Sequence, residues 1–461
     1  MTGKIITSAA PLKGKANIPG DKSISHRMLI FAMLGEGTSL IRGLSNGDDV
    51  NRTKLAIQQL GIEVKDETDK SVLQAGTPKD ECLRVYGGLS NITEPENPLD
   101  MGNSGTGLRL LAGVLSRFDF LSILTGDQSI RKRPMARIVE PLSEMGATIE
   151  GRRNSTLAPL VIRGGNLKAI SYSPPIPSAQ VKSAVILAGM GATGSTKVFE
   201  KIATRRHTEE MCAALGLPVK LESSGSSLEV TIEACTVPPF EMDVAKDPSQ
   251  AAFVVVAALI IEGSEVEIEN VYLGPGRDGF IKVLIAMGAD INVSYRENHA
   301  ADILVRHSNL SGTFVSGQLL ADAIDEVPIL AVAAAYALGE TRFIDASELR
   351  AKESDRLVAT QEGLANLGVD AKLDGDSLVI NGKGVVPKKL LTGETIQCRS
   401  YHDHRIAMAF SVATMASCNE TKIKNSSKNY GTSQLEIDDF DAVDTSWPGF
   451  LEAIKDLEHH R

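Results

Sequence analysis

The sequence of 461 residues lacks a hydrophobic segment that could cross a membrane. Its longest uninterrupted apolar run, residues 251–261, has 11 residues, whereas a spanning helix needs about 20. The first residues also lack the apolar stretch of a secretory signal and the Arg- and Ser-rich character of a transit segment. These absences predict a soluble protein.

Cysteine pairs and excess positive charge are also missing. The odd number of cysteines, with no CxxC pair, predicts a reducing compartment such as the cytoplasm rather than a disulfide framework. The 48 basic and 58 acidic side chains give a net charge of −10, which argues against a nucleic-acid surface as the main purpose. Any anionic ligand must therefore be held by local cationic clusters. The five cysteines are Cys82, Cys212, Cys235, Cys398 and Cys418.

One succession of elements recurs along the chain: an apolar helix, a turn, a strand, a second helix, and a Leu-Gly or Met-Gly pair before another strand. We expect the glycine of each pair to end a helix in the left-handed conformation, which glycine adopts most easily. These glycines are Gly61, Gly146, Gly216, Gly288 and Gly368. The apolar helices are expected to begin near Ser23, Asn103, Ser178, Asp247, Asp325 and Asp403. The sequence thus predicts six repeats.

The apolar helices also predict how the repeats are layered. Segments 251–261 and 329–338 are apolar nearly all round, which is typical of helices buried at the centre of a lobe. We therefore expect helices inside, sheets outside, and six repeats divided three and three. Prolines near residues 19 and 238–248 interrupt the pattern and predict where the chain passes between lobes. Lobe A is expected to contain residues 21–245, and lobe B residues 1–20 and 246–461.

Small polar residues precede or open three of the apolar helices, in residues 21–27 (DKSISHR), 102–107 (GNSGTG) and 178–182 (SAQVK). Free backbone N–H groups at a helix start, together with the helix dipole, form a site for phosphate or carboxylate. Any one of these residues is also what an ordinary N-cap looks like. Their recurrence at equivalent positions of repeats favours anion binding.

Cationic side chains cluster at corresponding places in this acidic chain. Arginine offers a rigid fork and lysine a point charge, so the set suits a small ligand with several negative groups. A basic run such as residues 131–133 is equally typical of a solvated surface. The cations are Lys22, Arg27, Arg131, Lys132, Arg133, Arg205, Arg206, Lys352, Arg356 and Arg405.

Carboxylates among these cations are candidates for proton transfer, because neighbouring cations favour their charged form. They are Asp325, Glu326 and Glu353. A metal site at Cys398, His402 and His404 is disfavoured, because Arg405 follows directly.

Six ordered motifs across almost the whole chain resemble those of the EPSP synthases, the 3-phosphoshikimate 1-carboxyvinyltransferases. They are residues 19–27 (PGDKSISHR), 102–106 (GNSGT), 132–134 (KRP), 178–184 (SAQVKSA), 349–356 (LRAKESDR) and 403–408 (DHRIAM). Residues 178–180 and 205–209 (RRHTE) are similar to the class II branch of that family.

The resemblance implies a two-lobed, inside-out α/β barrel with three βαβαββ units per lobe, and closure of the lobes on the substrates. It implies that the 5-hydroxyl of shikimate 3-phosphate attacks C2 of phosphoenolpyruvate, and that the tetrahedral intermediate then loses phosphate. It implies no metal or organic cofactor. Further expectations are a cytoplasmic monomer that binds neither nucleic acid nor membrane, and inhibition by glyphosate.

The resemblance also implies a role for individual residues. The catalytic residues would be Lys22, Asp325 as acceptor of the hydroxyl proton, and Glu353 as proton donor to the methylene carbon. Shikimate 3-phosphate would be held by Lys22, Ser23, Arg27, Ser178, Ala179, Gln180, Arg205, Asp325 and Lys352. Phosphoenolpyruvate would be held by Lys22, Asn103, Gly105, Arg133, Gln180, Arg356, His404 and Arg405.

Two alternatives remain open at this point. UDP-N-acetylglucosamine 1-carboxyvinyltransferase is similar in fold, but it has Asn after the first Lys and Cys in the loop before the Arg-Pro pair. This chain has Ser23 and the cysteine-free residues 126–130 (GDQSI) at those places. A non-catalytic anion-binding repeat protein would be expected to lack Asp325 or Glu353.

Overall fold

The computed structural model describes residues 3–7, 9–67, 82–416 and 433–459, so Cys418 lies outside the described residues. The chain forms two compact units. Gly20–Val244 is called the central unit, and Met1–Pro19 with Ala245–Arg461 is called the split unit.

Each sheet of the central unit follows one pairing pattern, in which an edge strand runs parallel to its neighbour and two further strands join antiparallel. In spatial order, the first sheet contains Glu241–Asp243, Thr38–Arg42, Cys82–Tyr86 and Glu63–Asp66. The second contains Leu99–Asp100, Leu121–Thr125, Leu157–Arg163 and Thr148–Gly151. The third contains Ser171–Tyr172, Thr196–Glu200, Ser227–Ile232 and Val219–Ser224.

The split unit repeats this pattern and takes strands from the N-terminus. One sheet contains Lys13–Lys15, Glu265–Tyr272, Ala300–Arg306 and Asp290–Tyr295. Another contains Phe314–Val315, Leu338–Phe343, Ser377–Lys383 and Asp370–Asp374. In the part of the chain that the structure describes, the last sheet contains Thr395–Cys398, Gln434–Ile437 and Lys4–Ile6. Lys4–Ile6 and Lys13–Lys15 therefore belong to the split unit, although the central unit follows them in the sequence.

The first helix of each repeat is buried and the second is amphipathic or partly exposed. The buried helices are Lys22–Leu34, Gly105–Leu115, Ala179–Gly189, Pro248–Ile260, Val327–Tyr336 and His404–Met415. The second helices are Asp48–Gln59, Ala136–Glu144, His207–Ala214, Gly279–Ala286, Arg356–Asn366 and Phe450–His459. Shorter helical segments include Gly317–Ala323, Ile130–Lys132, Ile324–Glu326 and Ser347–Ala351.

Burial explains the inside-out layering of each unit. Every residue of His404–Met415 is buried, as are Pro248 through Leu259 of the helix Pro248–Ile260. Strands instead alternate: Leu228, Val230 and Ile232 face the core while their neighbours face outward. Each unit thus has one hydrophobic core in which three buried helices are covered by three sheets.

The predicted helix ends are confirmed, with one correction. The five repeat glycines all have positive φ, from 67° at Gly216 to 111° at Gly146, as a left-handed helix end requires. The helix predicted over 329–338 ends earlier, at Tyr336, because Leu338 begins the strand Leu338–Phe343 and is 65% exposed. No helix among the described residues is long and apolar enough to span a membrane.

Candidate functional site

The three buried helices of the central unit begin with side-chain caps. Asp21 Oδ1 accepts a hydrogen bond from Ile24 N at 2.8 Å, and Ser104 Oγ accepts one from Gly107 N at 3.1 Å. Ser178 Oγ accepts one from Val181 N at 3.5 Å. Two of these caps are neutral hydroxyls, so the positive ends of those two helix dipoles are not offset by a carboxylate cap.

Lys22 opens the first of these helices. Its Nζ lies 2.8 Å from Asp49 Oδ2 in the second helix of the same repeat, and both side chains are largely buried. Next to it, His26 Nδ1 lies 2.8 Å from Thr53 Oγ1. Burial, followed by the nearby Lys22 and Arg27, holds the pKa of His26 well below its usual value. His26 is therefore a neutral, fully buried side chain whose ring contacts Thr53.

Arg27 connects three segments inside the central unit. Its Nε donates to Thr208 Oγ1 at 2.7 Å and its Nη2 donates to Ser183 Oγ at 2.8 Å. Its Nη1 donates to the carbonyl of Ser23 at 2.9 Å, so it also supports the first turn of its own helix. Arg27 is only 3% exposed. Its contribution to a ligand site is thus to fix the surrounding backbone and to supply positive charge.

A second group of side chains surrounds the start of the helix Gly105–Leu115. Arg133 Nη2 donates to Asn103 Oδ1 at 2.5 Å, and Asn103 Nδ2 donates to Asp127 Oδ2 at 2.8 Å. Arg133 and Asn103, which the sequence predicts in one site, are therefore in direct contact. Gly105 lies close to two guanidinium groups. A Cβ added at Gly105 would be 2.8 Å from Arg133 Nη1 and 3.0 Å from Arg109 Nη1.

Arg109 is a site residue that the sequence analysis missed. Its Nη1 donates to Gln180 Oε1 at 2.6 Å, and Gln180 Nε2 donates to Thr106 Oγ1 at 2.9 Å. Arg109 follows Gly105 by one helical turn, so the two residues share a helix face. That spacing was the signal in the sequence that could have identified Arg109.

In the split unit, one arginine gathers the predicted catalytic carboxylates. Arg356 is 1% exposed, and its Nε donates to Asp403 Oδ2 at 2.8 Å. Its Nη2 donates to Glu353, and its Nη1 lies 3.4 Å from Asp325 Oδ1. Burial works against the charge of Arg356, but the coulombic effect of Asp403, Glu353 and Asp325 outweighs it and raises the pKa of Arg356. Asp325 and Glu353 are thereby brought to one guanidinium.

In the sequence, Asp325 precedes Arg356 by 31 residues and Glu353 by 28, so the fold and not chain proximity brings Asp325 to this guanidinium. Lys352 joins the cluster, with its Nζ 3.1 Å from Asp325 Oδ1. Arg405 Nη1 donates to the backbone carbonyl of Asp325 at 3.0 Å. Two partly exposed carboxylates, Asp325 and Glu353, therefore lie among three cations.

Buried carboxylates cap two of the three buried helices of the split unit, Pro248–Ile260 and His404–Met415. Asp403 Oδ1 accepts from Arg405 N at 3.0 Å, and Asp247 Oδ1 accepts from Ser249 N at 2.7 Å. Asp247 also pairs with Arg277 Nη2 at 2.9 Å. The sequence analysis did not identify Asp403, Asp247 or Arg277 as charge partners, because the pairings join residues that are far apart in the chain.

Glu326 and His404, two further predicted site residues, are more deeply buried than the predicted catalytic carboxylates Asp325 and Glu353. Glu326, which the sequence offers for proton transfer, is 2% exposed, accepts from Ser249 Oγ and lies 3.5 Å from Arg405 Nη1. This burial makes Glu326 a structural partner of the arginines and not a carboxylate open to substrate. His404 is also buried, at the start of the helix His404–Met415. His402 Nε2 lies 3.3 Å from Asp439 Oδ2.

The whole chain is similar to known enzymes. The family model described as EPSP synthase (3-phosphoshikimate 1-carboxyvinyltransferase) matches residues 6–454. The 3-phosphoshikimate 1-carboxyvinyltransferase of Desulforudis audaxviator is 43% identical over 457 residues, covering 98% of each protein. That of Paramagnetospirillum magneticum is also 43% identical, covering 97% of this chain and 96% of the relative.

The chain belongs to the EPSP synthase family.

Solved structures agree with this family. The EPSP synthase of Acinetobacter baumannii has a TM-score of 0.81 and 37% identity, covering 99% of this chain and 98% of that one. The enolpyruvyl transferase NikO of Streptomyces tendae has a TM-score of 0.74 at 16% identity, which shows a shared fold alone. The predicted inside-out α/β fold of the EPSP synthase family is thus confirmed, and the alternative of a UDP-N-acetylglucosamine transferase has less support.

Proposed function

We propose that this chain transfers the enolpyruvyl group of phosphoenolpyruvate to the 5-hydroxyl of shikimate 3-phosphate and releases phosphate. The observation that carries the proposal is the cluster in which Asp325 and Glu353 share Arg356 and lie beside Lys352. The reaction needs one group to accept a hydroxyl proton and another to protonate carbon, and two carboxylates in one cluster can divide these tasks.

In the proposed mechanism, Asp325 accepts the proton of the 5-hydroxyl of shikimate 3-phosphate. The oxygen of that hydroxyl forms a bond to C2 of phosphoenolpyruvate at the same time. Glu353 gives a proton to C3, which becomes a methyl group. The bond between C2 and the phosphate oxygen then breaks, phosphate leaves, and Glu353 takes a proton back from C3 to restore the double bond. Lys22 and the arginines stabilise the negative charge of the phosphate and carboxylate groups.

For shikimate 3-phosphate, we propose the binding residues that the family resemblance implies. They are Lys22, Ser23, Arg27, Ser178, Ala179, Gln180, Arg205, Asp325 and Lys352. The hydroxyl cap of the helix Ala179–Gly189 supports this assignment, because its N-terminal N–H groups and dipole favour a phosphate. Arg27 would act mainly through the backbone that it supports, because it is nearly fully buried.

For phosphoenolpyruvate, we propose Lys22, Asn103, Gly105, Arg133, Gln180, Arg356, His404 and Arg405. The contact between Arg133 and Asn103 supports the first part of this set. Arg356 differs from the other arginines, because every guanidinium nitrogen already faces a carboxylate. These carboxylates accept four of the five N–H donors of Arg356, so direct contact with phosphoenolpyruvate would use the second hydrogen of Nη1 or displace a carboxylate.

We further propose that the enzyme works as a cytoplasmic monomer and is inhibited by glyphosate. The free thiols of Cys82, Cys212, Cys235 and Cys398 support a reducing compartment.

Phosphate release from phosphoenolpyruvate tests the proposed function. We expect turnover with shikimate 3-phosphate as acceptor, and only background release with UDP-N-acetylglucosamine or with no acceptor. Turnover with the nucleotide sugar would replace the proposed acceptor. Equal release without an acceptor would indicate hydrolysis and would contradict group transfer.

A further inference from the structure

Lys182 is a fully buried lysine that the reaction itself does not use. Its Nζ lies 2.7 Å from Glu200 Oε2, 2.7 Å from Glu209 Oε1 and 3.5 Å from the carbonyl oxygen of Thr204. The side chains of Lys182, Glu200 and Glu209 all have 0% exposure. The contacts with Glu200 and with the Thr204 carbonyl are hydrogen bonds, and Glu209 is a second ion-pair partner of the same ammonium group.

The three partners of Lys182 bracket one short segment of the chain, residues 201–206. Glu200 ends the strand Thr196–Glu200, and Glu209 lies in the first turn of the helix His207–Ala214. Between them, Thr204 donates from its backbone N to Glu200 Oε2 at 3.1 Å and from its Oγ1 to Glu200 Oε1 at 2.5 Å. The segment is therefore fixed at both ends and in its middle.

Lys182 also connects this segment to the start of a buried helix. Lys182 belongs to the helix Ala179–Gly189, and its backbone N donates to the carbonyl of Ser178 at 3.0 Å. Ser178 and Gln180 therefore lie within one turn of Lys182. Arg205 directly follows Thr204, the residue held by Glu200.

Burying the charges of Lys182, Glu200 and Glu209 costs free energy, because the charged groups lose their contacts with water. Burial raises the pKa of Glu209 even though Lys182 opposes the shift. Apolar residues of similar volume often give equal or greater stability than a buried ion pair, whereas removing one partner is strongly destabilising. What an apolar replacement would not supply is a directional contact to the backbone of residues 201–206.

We propose that Lys182 is a positioning residue that holds residues 201–206, and through them Arg205, at the start of the helix Ala179–Gly189, where shikimate 3-phosphate binds. The inference rests on the proposed function, which assigns Ser178, Gln180 and Arg205 to that substrate. It adds a residue that acts on binding without touching the ligand.

The test compares Lys182→Met with Lys197→Met in the full-length enzyme. Lys197 is a matched control, because it lies in the strand Thr196–Glu200 and pairs with Glu229 at the same 2.7 Å, but on the exposed surface. Lys182→Met should raise the KM for shikimate 3-phosphate about 10- to 100-fold, as expected for a displaced binding group, with a smaller change in the KM for phosphoenolpyruvate. Amide hydrogen exchange of residues 201–206 should accelerate without any substrate, whereas Lys197→Met should change neither quantity.

Thr204→Val provides a milder second variant if Lys182→Met fails to fold. It removes the hydroxyl contact to Glu200 and leaves the buried charges in place, so smaller changes in the same directions are expected. Unchanged exchange and an unchanged KM in the folded variants would overturn the proposal, as would equal rises in both KM values. Faster exchange with an unchanged KM for shikimate 3-phosphate would overturn the positioning role and the assignment of Arg205. Absence of wild-type turnover would instead contradict the proposed function, while the exchange result would still report on the contacts of Lys182.

Discussion

Gly105 is the residue at which the smallest change in side chain should have a selective effect. It begins a helix, and its φ is not in the left-handed region, so its backbone does not require glycine. The two atoms that a Cβ would approach, Nη1 of Arg133 and Nη1 of Arg109, are ends of flexible side chains. Alanine can therefore be accommodated if these guanidinium groups move.

We predict that Gly105→Ala raises the inhibition constant for glyphosate more than the KM for phosphoenolpyruvate. Glyphosate is the longer of the two molecules and should be more sensitive to an added methyl group and a displaced Arg133. The melting temperature should change little, because the backbone at Gly105 does not require glycine and the two guanidinium groups can move. Inhibition kinetics and a thermal melt provide the three values, and equal shifts in the two constants would argue against this explanation.

Residue types and motifs predicted many members of the candidate site but few of their contacts. Arg133 and Asn103 could be grouped from the sequence, and they do form a hydrogen bond. The connections from Arg356 to Asp403 and Asp325 could not be predicted, because they depend on how separate repeats pack together. Arg109 lies outside the family motifs, and only its spacing of one helical turn from Gly105 indicates it.

At the scale of helices, hydroxyl caps of buried helices are found in the central unit, whereas carboxylate caps are found in both units, at Asp21, Asp247 and Asp403. In the central unit, Ser104 and Ser178 provide neutral hydroxyl caps, which suits helix starts that bind anions. In the split unit, Asp247 and Asp403 cap helices while pairing with buried arginines. The carboxylate caps of the split unit thus stabilise positive side chains as well as helix starts.

We predict that Asp403→Asn lowers the free energy of unfolding of the split unit by about 1.5 to 3 kcal/mol, because the hydrogen bonds from buried Arg356 to Asp403 lose their charged acceptor while Glu353 and Asp325 stay paired with Arg356. The control is Asp355→Asn. Asp355 also caps a helix and pairs with an arginine, Arg350, but both of these side chains are more than a third exposed. Asparagine is a good cap and exposed pairs contribute little, so the control should lose at most about 1 kcal/mol. Urea unfolding measures both free energies of unfolding. Equal losses in the two variants would show that the buried pair of Asp403 and Arg356 stabilises the protein no more than the exposed pair does.

Helix positions were more predictable than strand pairings. Repeated glycines marked the ends of second helices, because the left-handed conformation restricts the residue type locally. The sequence indicated the layering of buried helices through their uniform apolarity. The parallel edge strands, such as Lys13–Lys15 beside Glu265–Tyr272, join residues about 250 positions apart and leave no local pattern.

For the whole molecule, the net charge of −10 contrasts with the anionic substrates that we propose. The chain resolves this contrast locally, with two hydroxyl helix caps, Ser104 and Ser178, in the central unit and a carboxylate cluster neutralised by Arg356 and Lys352 in the split unit. On this account, local groups of cations hold the anionic substrates although the chain as a whole is acidic.

Incorporation of deuterium into C3 of phosphoenolpyruvate and of the product, measured by mass spectrometry in D₂O, tests the proposed addition and elimination most directly. Addition places a solvent-derived proton on C3 and elimination removes one, so the wild-type enzyme should label both molecules when shikimate 3-phosphate is present. Glu353→Gln keeps the side-chain shape but loses the acid and base, so labelling and turnover should fall together by about two to four orders of magnitude. The exposed Glu348, in the short helix Ser347–Ala351, provides the control Glu348→Gln, which should behave as wild type. Unlabelled product at the wild-type rate, or full labelling by Glu353→Gln, would contradict the account.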